Sequence, residues 1–356
     1  MFSSTRKQAQ QIARQFLTGH CGLVAWWTLR HAGVLEAMAG AEDEGKALDV
    51  ALHAAKTTMS AEVLLALLEY LAEAGLVAMK KDGAVLTVDG RALLDHEDGV
   101  LELIRAYQPV LDMAEHLLAK LKVYGPGNGG VGAVYRKSEY LLDSQTKRYL
   151  EEVYPAAAEM VAKHRLAHLL DITCGTGDLL IHVASHHKRV VGVGTGSDGI
   201  AVRRANAAIA KADLEKRLIA VTANPADVCT ETQRTFDRIG ISRQLWKEIN
   251  CIVAVNFFGE YAAQKESEEG LVKVLAGVGV NFPTARLMVI EPVASARFGR
   301  NYYAPEFNLI LRLARSTPWP AEKWHELFGR AGMTVMDEKA LTTDGLNVFL
   351  CKVAGG

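Results

Sequence analysis

The sequence lacks the features of a membrane or secreted protein. Its 356 residues contain no run of the roughly 20 apolar residues that a membrane-spanning helix needs. Residues 1–16 have no apolar core of the kind that a secretory signal peptide carries. The five cysteines are odd in number and never form a CxxC pair, which favours reduced thiols and disfavours a cysteine zinc site. We therefore expect a soluble, cytoplasmic protein without a metal site.

An excess of charge of one sign is also missing. The 40 basic and 41 acidic residues give a net charge of −1, so no general attraction to nucleic acid or to anionic membranes is expected. Internal repeats and low-complexity tracts are absent as well. The length is sufficient for two domains, each with a core of its own.

Helical patterning dominates the first 120 residues, with helices predicted at 8–17, 23–39 and 61–74. Within this part, a helix over 48–55, a helix capped by Ser60 and two short strands at 76–79 and 84–88 follow one another. The order helix–turn–helix–hairpin predicts a winged helix. A DNA-binding regulator is disfavoured, because the second helix carries three glutamates and no Lys or Arg.

The domain organisation follows from a glycine-rich stretch, YGPGNGGVG, at 124–132. It contains a formal GxGxxG, but no strand precedes it and no GK[ST] follows, so we interpret it as a flexible linker or a lid over an active site. We predict a helical winged-helix domain over 1–122, a linker with a connecting helix over 123–150, and a second domain over 151–356.

Strands alternate with helices from residue 169 onward, which indicates an α/β domain with a mostly parallel sheet. Two strands near the end, at 334–339 and 347–353, are predicted to form an antiparallel C-terminal hairpin. The strongest local signal is LLDITCGTGD at 169–178, where a buried strand ends in a glycine turn that opens a helix. Open α/β folds bind ligands at that edge of the sheet. Gly175 and Gly177 would let a ligand lie on the backbone, and Asp171 could receive an ammonium group.

The turn resembles motif I of the class I S-adenosylmethionine (SAM)-dependent methyltransferases, D-x-G-x-G-x-G, with Thr173 in place of the first glycine. The segments VVGVGTGSDG, INCIVAVNFFGEY, ARLMVIEP and WHELFGRAGM are similar to later strands and to the last helix of that family. The whole chain resembles its small-molecule O-methyltransferase group, which has an N-terminal winged-helix dimerisation domain. The resemblance implies a Rossmann-like domain, a homodimer formed through the N-terminal domain, a small-molecule substrate, and SAM as cofactor with S-adenosylhomocysteine as its product.

Carried over position by position, the resemblance implies two sets of site residues. The residues expected at SAM are Asp171, Cys174, Gly175, Thr176, Gly177, Gly194, Thr195, Asp198, Asp227 and Asn256. Among them, Asp227 matches an acid that contacts the adenine amino group. The aromatic residues expected at the substrate are Phe257, Phe258, Tyr302, Tyr303 and Phe307.

Two departures from the family pattern bear on function. Gly194 stands where the family has an acid that ends the second strand of the domain and holds the ribose, which leaves Asp198 or Ser197 as a replacement. The local sequence GTGSDG is also a GxGxxG, but a dinucleotide site should follow the first strand of the sheet, so this interpretation fails on order.

The second departure is Gly259, which aligns with the histidine that serves the family as general base. Glu260 and Tyr261 are the candidate catalytic residues in its place. Without a base, positioning alone could carry methyl transfer to an O, N, S or C acceptor that is already nucleophilic. The alternative is a methyltransferase fold that performs cyclisation or rearrangement.

Overall fold

The computed structural model describes residues 2–96, 99–119, 138–265, 267–294, 309–310, 313 and 318–353. Two compact units divide the chain, Met1–Leu101 and Glu102–Gly356. The domain boundary expected near residue 122 stays a prediction. Among the described residues, no helix has the length and apolar character needed to cross a membrane.

The first unit is mainly helical. Its elements are α1 (Phe2–His31), α2 (Val34–Asp43), α3 (Val50–Thr57), α4 (Ala61–Glu73), β1 (Val77–Lys80), β2 (Gly83–Leu86) and α5 (Val88–His96). Ser60 caps α4 as predicted, because its Oγ accepts from the amide of Val63 at 3.4 Å. The two strands pair antiparallel, so the predicted order of two helices and a hairpin is present. The assignment as a winged helix stays a prediction.

The expected break between two helices at 8–17 and 23–39 is wrong. α1 continues through Gly19 and Gly22 to His31, and the chain turns at Gly33, which has φ 73°. A glycine inside a helix costs only about 1 kcal/mol. Burial of Trp26 and Leu29 in the core of this unit holds the helix together beyond those glycines.

Among the described residues, the second unit begins with helices, the first of which starts just before the boundary, and continues as a layered α/β structure. The helices before the sheet are α6 (Val100–Asp112), α7 (Ala114–Leu118), α8 (Ser138–Tyr149) and α9 (Val153–Lys163). The strands are β3 (His168–Asp171), β4 (Val191–Gly196), β5 (Leu218–Thr222), β6 (Cys251–Val255), β7 (Arg286–Pro292), β8 (Met333–Ala340) and β9 (Leu346–Val353). The remaining helices are α10 (Asp178–His186), α11 (Gly199–Lys211), α12 (Pro225–Thr230), α13 (Thr232–Ile239), α14 (Arg243–Glu248), α15 (Phe258–Lys265), α16 (Glu268–Asn281) and α17 (Ala321–Arg330).

The seven strands form one sheet in the order β5-β4-β3-β6-β7-β9-β8. β3 to β7 are parallel, and β9 pairs antiparallel with both β7 and β8. Separate apolar clusters cover the two faces, which a parallel sheet requires because its strands are apolar on both sides. The predicted Rossmann-like class, with its antiparallel C-terminal hairpin, is confirmed.

The sheet topology also locates a binding crevice. From β3 the chain proceeds outward to β4 and β5, and then returns to β6 on the other side of β3. Strand order therefore reverses between β3 and β6, and such a switch point opens a crevice at the carboxyl ends of the two strands. The turn after Asp171 lies at this point.

Candidate active site at the carboxyl edge of the sheet

Asp171 is a buried carboxyl group at the end of β3, with 1% of its surface exposed. Its Oδ1 accepts from the amide of Thr173 at 2.9 Å and from the Thr173 hydroxyl at 3.4 Å. Burial raises the pKa of Asp171 to about 7, and these two hydrogen bonds oppose the rise. A cation brought to this carboxyl would favour its ionised form.

The turn that follows is shaped by two glycines in the left-handed region. Gly175 has φ 51° and Gly177 has φ 84°, conformations that L side chains rarely adopt. A Cβ at Gly175 would lie 2.9 Å from Cδ2 of Leu142 on α8. Gly177 caps α10 without a side-chain hydrogen bond, so the main chain at the start of that helix faces the crevice.

Thr173 and Cys174 hold this turn to the neighbouring strands. The Thr173 hydroxyl accepts from the amide of Val255 at 2.8 Å, which joins the ends of β3 and β6. The amide of Cys174 donates to the carbonyl of Thr195 at 2.9 Å, which joins the turn to β4. Burial raises the pKa of the Cys174 thiol, so this cysteine is a packed thiol. Thr173, where the family has glycine, therefore has a structural partner.

Residues of α8 and α9 cover the turn, and sequence reasoning missed them. Asp178 accepts through Oδ2 from the hydroxyl of Thr146 at 2.7 Å and from the hydroxyl of Thr176. Tyr149 and Tyr154 pack edge to face with ring centroids 6.1 Å apart. Together with the turn and Val255 they enclose a cavity of about 50 Å³. Apolar spacing on α8 and α9 gave no sign that these helices lie over the site.

Asn256 follows β6 in a left-handed conformation, with φ 52°. Its Nδ2 donates to the hydroxyl of Tyr149 at 2.7 Å, and its amide donates to the carbonyl of Ile290 at 2.9 Å. Its Oδ1 is buried and has no hydrogen-bond partner among the described residues. A buried acceptor without a partner costs free energy, and a ligand N–H or O–H would remove that cost.

The glycines of β4 differ in the space beside them. β4 continues to Gly196, whose register partner on β5 is Thr222. The expectation that Gly194 ends the strand is therefore wrong, because parallel pairing with β5 extends two residues further. A Cβ at Gly194 would lie 2.7 Å from Cβ of Cys174, whereas one at Gly196 would meet its nearest atom at 3.7 Å.

The other expected cofactor residues on β4 and α12 have varied surroundings. Thr195 is fully buried, and its hydroxyl lies 3.5 Å from the carbonyl of Asp171. Asp198 caps α11, since its Oδ1 accepts from the amide of Ile200 at 2.8 Å. Asp227 is half-buried in the first turn of α12, and no described residue hydrogen-bonds to its carboxylate. Of the two acids Asp198 and Asp227, Asp227 is therefore the one whose carboxylate is available to a ligand.

A second buried carboxyl, Glu291, lies at the end of β7 with 2% of its surface exposed. Its Oε1 accepts from the amide of Phe258 at 2.7 Å and from that of Gly259 at 3.4 Å. A Cβ at Gly259 would lie 3.1 Å from Oε2 of Glu291. Burial raises the pKa of Glu291 to about 8. The only sequence signal for this residue was a lone acid in an apolar strand.

The candidate catalytic and substrate residues gather at the start of α15. Glu260 and Tyr261 are half-buried there, and the ring of Tyr261 lies 5.7 Å from that of Phe257. Phe258 is fully buried in the core. The remaining substrate candidates, Tyr302, Tyr303 and Phe307, lie outside the described residues, as does the glycine-rich stretch at 124–132.

Comparison with known proteins rests on structure. No protein-family model and no curated protein matches this sequence. The mitomycin 7-O-methyltransferase MmcR superposes with a TM-score of 0.69 at 14% identity, covering 99% of this chain and 100% of that one. Human N-acetylserotonin methyltransferase, solved with SAM, has a TM-score of 0.66 at 14% identity, with 98% of each chain covered. An O-methyltransferase family protein from Burkholderia thailandensis has a TM-score of 0.65 at 14% identity, covering 100% of this chain and 99% of that one.

This chain has the O-methyltransferase fold. The likeness covers almost the full length, as expected from the sequence motifs. Identity this low establishes the architecture and not the chemistry, which depends on the residues of the site.

Proposed function

We propose that this protein is a SAM-dependent methyltransferase that acts on a small molecule and holds SAM at the turn from Asp171 to Gly177. The observation that carries the proposal is a buried carboxyl group below two left-handed glycines, at the switch point of the sheet. Among the proteins with the same fold, N-acetylserotonin methyltransferase and NcsB1 from neocarzinostatin biosynthesis were solved with SAM. SAM carries both an ammonium group and an adenosine, and the turn and α12 offer acceptors for the two groups.

The residues in and around the turn have the polar groups needed to bind SAM. Asp171 and the unpartnered Oδ1 of Asn256 are acceptors for an ammonium group. The bare backbone at Gly175 provides a surface on which a ligand can lie. The half-buried Asp227 is an acceptor for the adenine amino group. When bound, SAM supplies an electrophilic methyl group.

Space over the turn is the one limit on this fit. The cavity of about 50 Å³ is far smaller than the roughly 300 Å³ or more of ordinary ligand pockets. The side chains of α8 and α9 that line the cavity, Leu142 over Gly175 among them, must therefore move when SAM binds.

The acceptor is an aromatic or other small molecule with a nucleophilic O or N atom. The structures with this fold include O-methyltransferases and a riboflavin-derivative N,N-dimethyltransferase, RosA, with a TM-score of 0.58 at 15% identity. Gly259 excludes a base from its own side chain. Aromatic side chains at the start of α15, such as Phe257 and Tyr261, are suitable partners for a flat acceptor.

Calorimetric titration with SAM and with S-adenosylhomocysteine tests the proposal directly. We expect saturable binding of both with one site per chain. NAD⁺ serves as the matched control, because the second GxGxxG would favour it if the site were for a dinucleotide. Binding of NAD⁺ without binding of SAM would overturn the proposal.

A second candidate function is non-methyl chemistry, such as cyclisation or rearrangement, on the same fold. Two observations favour it: glycine at 259 in place of the usual histidine, and glycine at 194 where a ribose acid is expected. The two candidates differ in product. Bound SAM with no S-adenosylhomocysteine formed across a broad set of acceptors would favour the second.

We also propose that the protein is a homodimer formed through its first unit. Trp26 is buried within this unit. Among the residues of α1 whose burial is described, the large apolar side chains that remain exposed are Ile12, Phe16, Leu17 and Val24. At about 100° per residue, all four point to one side of the helix, and an exposed apolar face of this kind is suited to a second copy of the chain.

Replacing Phe16, which is 76% exposed, should break the proposed dimer. We expect Phe16→Glu to give a monomer mass in light scattering at micromolar concentration, while the wild type gives a dimer. Val88→Glu on α5, at 86% exposure, is the matched control and should leave the mass unchanged. A wild-type monomer mass would refute the proposal.

A further inference from the structure

The carboxyl group of Glu291 lies beside the space that a side chain at position 259 would fill. Its carboxyl group accepts hydrogen bonds from the amides of Phe258 and Gly259 through Oε1, and a further backbone hydrogen bond comes from Phe257. These amides begin α15, and the free N–H groups at the start of a helix favour a carboxylate. The side chain therefore has a fixed position next to the bare backbone.

The glycine is what allows this position. A Cβ at residue 259 would approach Oε2 of Glu291 to 3.1 Å, which is closer than ordinary contact, and Cζ2 of Trp324 to 3.8 Å. A side chain at 259 and the present position of the Glu291 carboxyl therefore compete for one space. The position that aligns with the family's histidine therefore has a carboxyl group beside it, and this carboxyl comes from β7.

Glu291 also lies at the same edge of the sheet as the proposed SAM turn. The register pairs Asp171 with Val253 on β6 and Val255 with Ile290 on β7. Glu291 is two strands away from Asp171 across the sheet and three residues further along the strand direction, so the two residues are roughly 14 Å apart. Tyr149 connects the two regions, because it lines the cavity at the turn and the charge of Glu291 acts on its pKa.

Few groups around Glu291 bear on its ionisation. Glu260 of α15 is the acid whose negative charge adds to the effect of burial and raises the pKa of Glu291. Tyr149 of α8 is the second titratable neighbour, and burial raises its own pKa, so it is neutral near pH 8. Trp324 of α17 and Asn347, the register partner on β9, are uncharged. Among the described residues, the hydrogen bonds to this carboxyl come from backbone amides, and none comes from a cation that would keep it ionised.

We propose that Glu291 is the general base of the proposed methyl transfer and that the acceptor presents a hydroxyl or amine hydrogen to its Oε2. For a hydroxyl acceptor, the O–H bond breaks, its electron pair stays on the oxygen, and the proton forms a bond to Oε2. A neutral amine already has a nucleophilic lone pair, so its N–H bond breaks only as the nitrogen becomes positively charged, and that proton then forms the bond to Oε2. This inference rests on the proposed function and names the base and acceptor class for it.

The chemistry suits the environment. An ordinary glutamate is a weak base, whereas burial raises the pKa of Glu291 to about 8, close to the range in which a general base is effective. A base must be ionised to accept a proton, so the rate should rise with pH and level off above about 8. A carboxyl that only caps α15 would give no such profile.

The test compares Glu291→Gln with the wild type in methyl transfer from SAM to a panel of phenols, 2-naphthol and anilines. Glutamine keeps an oxygen that can accept from the amides of Phe258 and Gly259. We expect kcat to fall by about 100- to 10,000-fold, the size of a lost general base, and the pH dependence near 8 to disappear. Calorimetric affinity for SAM and thermal stability should stay close to those of the wild type, and Glu291→Asp should recover part of kcat.

The matched control is Glu152→Gln. Glu152 is also a carboxyl that accepts from backbone amides, those of Thr342 and Thr343 at 2.8 and 2.7 Å, but it does not line the cavity at the turn. This variant should keep the kcat and the pH profile of the wild type. If Glu291→Gln behaves like Glu152→Gln, the inference is overturned while the proposed function stands. If the wild type does not bind SAM, the proposed function itself has failed.

An infrared measurement decides the matter if none of these acceptors is methylated. In the protein loaded with S-adenosylhomocysteine, the C=O stretch of a protonated carboxyl should be lost in Glu291→Gln and should bleach as the pH rises through 8. Adding 2-naphthol should shift that band. A band that is insensitive to 2-naphthol would overturn the inference, because the carboxyl would then have no contact with the acceptor.

Discussion

Asp171 and Glu291 are both buried carboxyl groups at the end of a parallel strand, and they differ in how their surroundings are built. The partner of Asp171 is Thr173, two residues along the chain, in a turn that contains all the necessary glycines. The partner of Glu291 is the amide of Phe258, which is 33 positions earlier. The surroundings of Asp171 are encoded within one short segment, whereas those of Glu291 depend on how β7 packs against the start of α15.

This difference determines whether a substitution at one residue of a site also affects residues elsewhere in the chain. A local turn keeps its carboxyl, glycines and helix start in one short segment, so its pattern remains recognisable. At the second carboxyl the residue at 259 and the residue at 291 share one space, and a change at one alters what the other can do.

The largest effect is expected at Gly175. Gly175→Ala should weaken SAM binding by about 100-fold or more, since a Cβ would fill the surface on which the ligand lies and would meet Leu142 at 2.9 Å. Gly240→Ala is the matched control, because Gly240 also has a positive φ, 75°, but has open space around it. Calorimetry on both variants checks this. Equal affinities would show that the turn is not the SAM site.

Asp171→Asn should lower the affinity for SAM by about 10- to 100-fold, the range for a lost hydrogen bond to a charged group. In the wild type, affinity should increase from pH 6 to pH 8, because the ammonium group pairs with the ionised carboxyl and the pKa of Asp171 is about 7 without ligand. The asparagine variant should show no such increase. Titrations at three pH values decide it, and a pH-independent wild type would argue against ammonium binding here.

The stability of the ligand-free protein should distinguish the two carboxyls by pH. Burial raises the pKa of Asp171 to about 7 and that of Glu291 to about 8, both above their values in the unfolded chain. Each group therefore contributes stability that is fully present below its unfolded pKa and lost as the pH rises through the folded pKa. We expect Tm to fall between pH 5 and pH 9. In Asp171→Asn the fall should be shallower up to about pH 7, and in Glu291→Gln up to about pH 8. A Tm that rises over this range would contradict both assignments.

The smallest effect is expected on β4, where Gly194 stands in place of the ribose acid. Gly196→Asp should fold normally, because its Cβ meets no atom closer than 3.7 Å, and should strengthen SAM binding by up to about 10-fold by supplying a carboxylate for the ribose at the end of the strand. Gly194→Asp is the paired variant and should lower Tm, since its Cβ would lie 2.7 Å from that of Cys174. Equal Tm values for the two variants would refute this account of the strand.

The sequence by itself determined the parts of this protein whose partners are close along the chain. The turn from Asp171 to Gly177, the cap of α4 at Ser60 and the alternation that gives the parallel sheet could all be predicted, since each depends on residues within a few positions. Even so, local patterns misplaced the end of β4 by two residues and divided α1 at glycines that the helix tolerates.

Only the tertiary structure decided the rest. That α8 lies over Gly175, that Asn256 bonds to Tyr149 107 positions away, and that Glu291 fills the space at Gly259 depend on elements brought together by the sheet and its two apolar faces. The physical reason is that side-chain spacing predicts which face of a helix or strand is buried, but not which residue it will meet there. In this protein such contacts place the carboxyl group of Glu291 beside Gly259.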